Sequence, residues 1–312
     1  MAKEVKIHVL HCGYIQLEKS MPNAGELKLK NSILHVAAKD CDRVVLPVCA
    51  YLVEHPVHGK VLIDTGWCRD ISPEGVYDKK ACTKLMPGYL ADFYRPFVPK
   101  GMAIHEQLEA MGIKPHDLDC VIVTHLDPDH VSGVKHLQEA KRIIVPEYEW
   151  FYSCRYVFKA HQPFKAFIQY PFEKIPYRAT RPDHFWYFGK DISTNHWTIN
   201  LFGDDSICIV NVPGHTEGIG AVIINTDYGF MPQDFVLLAS DAAFNRRSWE
   251  EMSISGLGYS KQSMLRSLDW IKSMSALPGC KAVLASHDPE VQPQIITLQM
   301  KNLTSENIRE QQ

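Results

Sequence analysis

The stretch that most constrains this chain is Thr124-His125-Leu126-Asp127-Pro128-Asp129-His130, which follows directly on the apolar run Cys120-Val121-Ile122-Val123. The run reads as a buried strand, so two histidines and two aspartates stand at a buried strand's end. Isolated charges are expensive to bury and are normally paired or bound to a metal. In extended backbone residues 125 and 127 point the same way, whereas the adjacent Asp129 and His130 must diverge. That spacing suits two neighbouring ions better than one. The alternative is a polar loop whose aspartates cap the next helix, but capping needs one aspartate and no histidine.

The pattern recurs along the chain. Val5 to Leu10 reads as a first strand, with His8 and His11 beside it as structural histidines, and residues 15 to 43 read as an irregular surface loop. Val44–Val53 and Lys60–Asp64 form a hairpin around Pro56-Val57-His58-Gly59. It ends in Asp64-Thr65-Gly66-Trp67, where Asp64 is either a turn acid or a group that orients a ligand histidine. Residues 78 to 99, with Tyr89 and Phe93 among their aromatics, follow neither period. They read as a pocket wall, a subunit contact or a loop tucked onto the core.

A helix over 104–111 capped by Gly112, strand 119–124, a helix beginning at Val131 and strand 142–145 follow. Residues 148 to 190 are rich in aromatics, Trp150 among them, with interleaved basic residues. Such a mixture can stack nucleic-acid bases, but a net charge of −3 and the prolines at 163, 171, 176 and 182 favour an insertion that roofs a pocket or builds a homodimer interface. Strands are expected at 197–201, 207–212, 219–225, 235–239 and 282–285, and a helix over 261–274 with Met264, Leu265, Leu268 and Ile271 on one face.

Four apolar strands therefore end in potential ligands: the 125–130 cluster, His215 in Pro213-Gly214-His215-Thr216-Glu217-Gly218, Asp241 after Ser240, and His287 in Ser286-His287-Asp288. Together they supply His125, Asp127, Asp129, His130, His215, Asp241 and His287. Three or four protein ligands per ion with an open position is the pattern of a catalytic site. The charge balance argues against a nucleic-acid or anionic-membrane partner. No run approaches the roughly 18 apolar residues of a membrane span. Nine cysteines without a CxxC pair fit a reducing cytoplasm.

HxDxDH, PGHTEG, SD and SHD, in that order, resemble the metallo-β-lactamase fold superfamily, whose usual first motif is HxHxDH. The likeness covers nearly the whole chain, from the first strand to the final Ser-His-Asp, and implies one domain over 1–312, with 78–99 and 148–190 as insertions. It is strongest to the N-acyl-homoserine lactonase-like group, through the Leu46-Pro47-Val48 to Asp64-Thr65-Gly66 hairpin, Asp241-Ala242-Ala243 and the closing Ser-His-Asp. The resemblance implies an α/β fold, a four-layer αβ/βα sandwich with the site at one edge. It also implies two divalent metal ions, zinc or iron/manganese. His125, Asp127 and His215 would hold one, Asp129, His130 and His287 the other, and Asp241 would bridge them. A water between the ions would be the nucleophile, with Asp129 helping to move the proton to the leaving group.

The implied activity is hydrolysis of an ester-like bond in a small molecule, a lactone foremost, with thioester or phosphodiester cleavage as the alternative. A diiron redox role is a further alternative, since the flavodiiron branch carries HxExDH. Two departures matter. Asp127 replaces the usual histidine: two divalent ions, three carboxylates and a hydroxide come to about neutral, and an oxygen ligand tilts preference toward harder ions. Phe244 stands where lactonases carry a tyrosine that contacts the lactone, and phenylalanine has no donor. Tyr89, Phe93 and Trp150 are the other candidate substrate contacts. Arg246 and Arg247 could read a carboxylate or phosphate, but a solvated face is the favoured reading.

Overall fold

A computed structural model describes residues 4–27, 42–155, 170–177, 197–226 and 234–300. The strands are β1 (Glu4–Glu18), β2 (Arg43–His55), β3 (Gly59–Ile63), β4 (Cys120–Ile122), β5 (Ile143–Pro146), β6 (Glu173–Ile175), β7 (Thr198–Asn200), β8 (Ile207–Asn211), β9 (Gly220–Asn225), β10 (Phe235–Ser240), β11 (Cys280–Ala285) and β12 (Gln294–Gln299). The helices are α1 (Lys79–Cys82), α2 (Gly88–Tyr94), α3 (Ile104–Ala110), α4 (Pro128–Val131), α5 (Glu147–Arg155), α6 (Arg246–Glu250) and α7 (Lys261–Ser275).

Among the described residues the strands form two mixed sheets, one in the order β12-β1-β2-β3-β4-β5-β6 and one in the order β11-β10-β9-β8-β7. Period-two alternation decides which face each residue serves. In β2, Cys49, Tyr51 and Val53 join Ile63 and Ile122 in a core shared with Ile209, Val222, Val236 and Leu238 of the second sheet. The alternate residues Val48, Ala50 and Leu52 face the other way, onto Leu90, Ile104 and Leu108 from α2 and α3. On the far side of the second sheet, Val210, Ile223 and Leu237 are covered by Met264, Leu268, Ile271 and Met274 of α7. α7 starts where the Ser260 hydroxyl accepts from Ser263 N–H at 3.2 Å, and its apolar stripe is the expected one. The result is an α/β sandwich of four layers, helix, sheet, sheet, helix, as the resemblance implied. β3, β4 and β5, buried on both faces, read as unbroken apolar runs for that reason.

Three expectations are corrected. β1 does not stop near Leu10 but runs to Glu18, through a register shift between His11 and Tyr14. Val5, Ile7 and Val9 face the inter-sheet core, whereas Ile15 and Leu17, of the same parity, join the helix-side cluster. One irregularity in the ladder flips the faces. Gly13 sits there at φ +112°, a conformation that side chains rarely adopt. Of the loop expected over 15–43, residues 28–41 lie outside the described residues.

Second, residues 78–99 do form helices. Met86, Leu90 and Phe93 have helical spacing, but Pro87 at the start of α2 breaks the run. Asp78 caps α1, accepting from Ala81 N–H at 2.9 Å. Third, the helix expected from Val131 is α4 followed by a 3-10 turn over Ser132–His136. Residues 148–190 contribute α5 and β6, while 156–169 and 178–190 lie outside the described residues. No helix among the described residues is long and apolar enough to cross a membrane.

β3 runs parallel to β4, and β10 to β11; β8 is antiparallel to β9, which is antiparallel to β10. The carboxyl ends of β3 and β4 therefore share one edge of the first sheet, and those of β8, β10 and β11 one edge of the second. The loops after these strands carry the candidate ligands.

Candidate metal centre

The centre begins with two strained strand ends. Asp64 after β3 and Ser240 at the end of β10 hold φ of 57° and 49°, in a region that costs a non-glycine residue roughly 1–2 kcal/mol. Such strain concentrates at functional sites, where the surroundings enforce it. Here the enforcement is a buried network. Asp64 Oδ1 accepts from Thr124 N–H and Oδ2 from the Thr124 hydroxyl, each at 2.8 Å. Thr124 Oγ1 lies 2.7 Å from Ser240 Oγ, tying the two sheets together.

Each candidate histidine is held by its Nδ1. That atom of His130 meets Asp64 Oδ2 at 2.8 Å, and that of His287 meets the Pro47 carbonyl at 2.8 Å. His215 Nδ1 meets the Leu257 carbonyl at 3.2 Å, and His125 Nδ1 lies 3.1 Å from Thr124 Oγ1. A partner at Nδ1 fixes ring orientation and leaves Nε2 for a ligand. The Nε2 atoms converge. His125, His215 and Asp241 form one group and Asp129, His130 and His287 a second, with the ligand atoms of each group mutually within 4.8 Å. Asp241 faces both groups: Oδ2 is 3.1 Å from His287 Nε2 and 3.8 Å from His215 Nε2, while Oδ1 is 3.2 Å from His130 Nε2.

Asp127 occupies the N-cap position of α4, yet its side chain accepts no cap bond. Its Oδ2 instead lies 3.0 Å from His215 Nε2 and 3.9 Å from His125 Nε2. The capping alternative for this aspartate is thereby set aside. Asp64, equally open in the sequence, proves to orient His130.

The donor set fits two cations. Among the described residues the buried atoms His125 Nε2, His130 Nε2 and Asp241 Oδ1 make no well-formed hydrogen bond, the 3.2 Å approach of the last two included, and buried polar atoms normally find one. The electrostatics agree. Burial works to lower His215, but the hydrogen bond and charge of Asp127 outweigh it and raise the ring to about 9. Burial opposes His130 and His287 in the same way, and the neighbouring carboxylates push both upward, Asp241 foremost. His125 is lowered by burial and by His130. A cage whose carboxylates hold imidazoles protonated is a cage that attracts positive charge.

Of the four residues singled out as substrate contacts, Phe244 has ring contacts to the centre. It is buried, its ring 4.9 Å from that of His287 and 6.2 Å from that of His215. Phe93 is buried in the layer outside the first sheet, and Trp150 packs on that layer beneath the Lys174 ammonium at 4.3 Å. Tyr89 is exposed. Arg246 and Arg247 pair with Glu250 and Glu251 on the surface of α6, a solvated face. His8 and His11 are structural, bonded to Glu54 at 2.8 Å and to the Val291 carbonyl at 2.7 Å.

Sequence reasoning gives Thr124, Ser240 and Tyr94 no role of their own and passes over Glu149. Thr124 and Ser240 adjoin ligands in sequence, a signal within reach. Tyr94 is half-buried at the end of α2; burial, then the carboxylates of Asp127, Asp129 and Asp241, hold its phenol well above its ordinary value. Glu149 lay unremarked in an aromatic stretch.

Comparison with known proteins agrees with this geometry. The chain is 24% identical over 278 residues to the N-acyl homoserine lactonase AttM of Azorhizobium caulinodans, covering 88% of this chain and 94% of that protein. It is equally similar, over 274 residues, to the enzyme of that name from Agrobacterium fabrum, covering 86% and 92%. In structure it resembles an N-acyl homoserine lactone hydrolase solved with N-hexanoyl-L-homoserine at its catalytic metal centre, at TM-score 0.67 and 20% identity, covering 95% and 100% of the two chains. It also resembles AidC, a dizinc quorum-quenching lactonase, at TM-score 0.57 and 14% identity, covering 97% of each chain. The family model of the metallo-beta-lactamase superfamily matches residues 43–278, and with two groups of ligands converging where that fold places its site, the chain belongs to the metallo-beta-lactamase superfamily.

Proposed function

We propose that the protein is a dinuclear metal-dependent hydrolase of an ester-like bond in a small molecule, with a lactone as its substrate, built as one domain over residues 1–312. The observation that carries this reading is Asp241, whose carboxylate lies between two separate groups of buried ligands, Oδ2 near both His287 and His215 and Oδ1 near His130. His125, Asp127 and His215 would hold one ion, Asp129, His130 and His287 the other, and Asp241 would serve both. Two bound divalent ions supply an activated water and polarise the substrate carbonyl.

The remaining tasks fall to the chain. Burial, with the carboxylates of Asp241 and Asp127 nearby, holds the Asp129 carboxyl above the usual carboxylate range. Asp129, beside the bridging position, is the carboxylate we assign to move the proton from the attacking water to the departing alkoxide. Phe244 presents an apolar face beside His287 and His215. Tyr94, whose phenol lies in the field of the carboxylates of Asp127, Asp129 and Asp241, is the hydroxyl we assign in place of the donor that Phe244 lacks. The oxygen ligand at 127 favours iron or manganese alongside zinc.

A panel of N-acyl homoserine lactones, thioesters and phosphodiesters, read with a pH indicator on wild type and Asp241→Asn, tests this. Lactone turnover that falls by more than about 100-fold in the variant is the expected result. A metal-loaded wild type inert toward every lactone overturns the substrate assignment, and undiminished turnover by Asp241→Asn overturns the site.

A further inference from the structure

The loop that carries His125 and Asp127 comes from β4 in the first sheet, and the loop that carries His215 comes from β8 in the second. Something must set their separation. Glu149, in the first turn of α5, touches both. Its Oε1 accepts from Leu126 N–H at 3.1 Å, and Leu126 lies between two proposed ligands. Its Oε2 accepts from the hydroxyl of Thr216, the residue after His215, at 2.6 Å. Glu149 is 1% exposed and Thr216 is 2% exposed.

The surrounding packing is built for this contact. A Cβ at Gly218 would stand 1.9 Å from Glu149 N, so only glycine lets the end of the His215 loop lie on the first turn of α5. The Tyr177 hydroxyl donates to the Gly218 carbonyl at 3.0 Å, and Gly220 N–H donates to the Thr124 carbonyl at 3.1 Å. A buried carboxylate is retained only where its bonds are made. This one makes them to the two loops that converge on a single ion and to the Ser153 hydroxyl of its own helix, at 3.4 Å.

We propose that Glu149 is a positioning residue that clamps the His125–Asp127 loop to the His215 loop and so sets the geometry of the His125, Asp127 and His215 ion site. The inference rests on the dinuclear reading above. The clamp works through two hydrogen bonds rather than through charge alone. A glutamine in its place keeps both, its oxygen accepting from Leu126 N–H and its amide donating to Thr216 Oγ1.

Cobalt(II) titration of the full chain, followed by its visible absorption, reads the ligand geometry without reference to turnover. Wild type is expected to take up two equivalents. Glu149→Ala is expected to bind one of them about 10- to 100-fold more weakly with an altered spectrum, and Glu149→Gln to stay within about threefold of wild type. Thr216→Val, which removes one arm and keeps the side-chain shape, is expected to weaken the same equivalent by about tenfold. It carries the test should Glu149→Ala fail to fold by circular dichroism. Wild type with two equivalents beside a folded Glu149→Ala or Thr216→Val with the same affinities and spectrum overturns the clamp alone, as does a Glu149→Gln as impaired as Glu149→Ala. A wild type that takes up no cobalt overturns the dinuclear reading and the clamp with it.

Discussion

Asp64 has no contact with substrate in the proposed mechanism, yet it fixes one ligand and one strand end together. Its Oδ2 meets His130 Nδ1, and its Oδ1 takes Thr124 N–H. Asparagine tolerates the left-handed backbone at this position but cannot offer acceptors on both sides. Asp64→Asn is therefore expected to keep the fold while losing about 10- to 100-fold in metal affinity, measured by competition with a chelator. Asp127 invites the opposite experiment. Restoring histidine removes a negative charge and a hard ligand, so Asp127→His is expected to raise the zinc share in elemental analysis. It should also lower the apparent pKa of the rising limb of the pH–rate profile. An unchanged metal mixture would show that residue 127 does not select the ion. The ligand types were legible because His and Asp at strand ends are rare without a reason. The orienting contacts were not: Asp64 meets His130 only because β3 and β4 pair in parallel, a register the linear chain does not display.

At the scale of elements, what the sequence hid was continuity. β1 was foreshortened because Gly13 resembles a stop, although Tyr14-Ile15-Gln16-Leu17 alternates again with the same parity and only the face it serves is inverted. β12 went unread because its face is mostly exposed and carries little apolar signal. α7 was plain, since one long amphipathic stripe needs no partner to be seen. The hairpin of β2 and β3 was also plain, and the structure adds a titrating group to its turn. His55 Nδ1 accepts from Val57 N–H at 3.3 Å and His58 N–H at 3.1 Å. Its ring stacks on His58 at 4.7 Å, and His58 in turn bonds Asp204 at 2.6 Å. Burial first, then His58, lowers His55 from 6.5 to about 4. A depressed folded value means the stabilisation is complete above pH 6.5 and is lost as pH falls toward 4. The loss is at most about 3 kcal/mol at 1.36 kcal/mol per pKa unit. His55→Asn keeps an acceptor for both amides and cannot titrate. The melting temperature of that variant is expected to fall less steeply than wild type between pH 6.5 and 4. Parallel curves would remove His55 from the account.

At the scale of the whole molecule, the two sheets meet at a seam of like charge. Asp64, Asp129 and Asp241 are all buried there, with Asp127 beside them, and such a cluster is unfavourable unless cations share it. Protons on the histidines are one answer and metal ions the other, and pH separates the two. With His215 raised to about 9, the contribution of its protonated form is complete below its unfolded value of 6.5 and disappears as pH rises through 9. His130 and His287 are displaced in the same direction. Metal binding needs the neutral imidazoles and so releases these protons, which makes affinity grow with pH over the same window. Ions at about 100 times their dissociation constant add about 2.7 kcal/mol, and at fixed metal this increment grows with pH as the competing protons leave. Chelator-treated protein is therefore expected to lose melting temperature steadily from pH 6.5 to 9. Protein in excess metal should hold its value, so that the gap between them widens to several degrees. Scanning calorimetry of both forms across that range measures it, and a gap that narrows toward pH 9 would mean that the convergent histidines and carboxylates are not held together by cations.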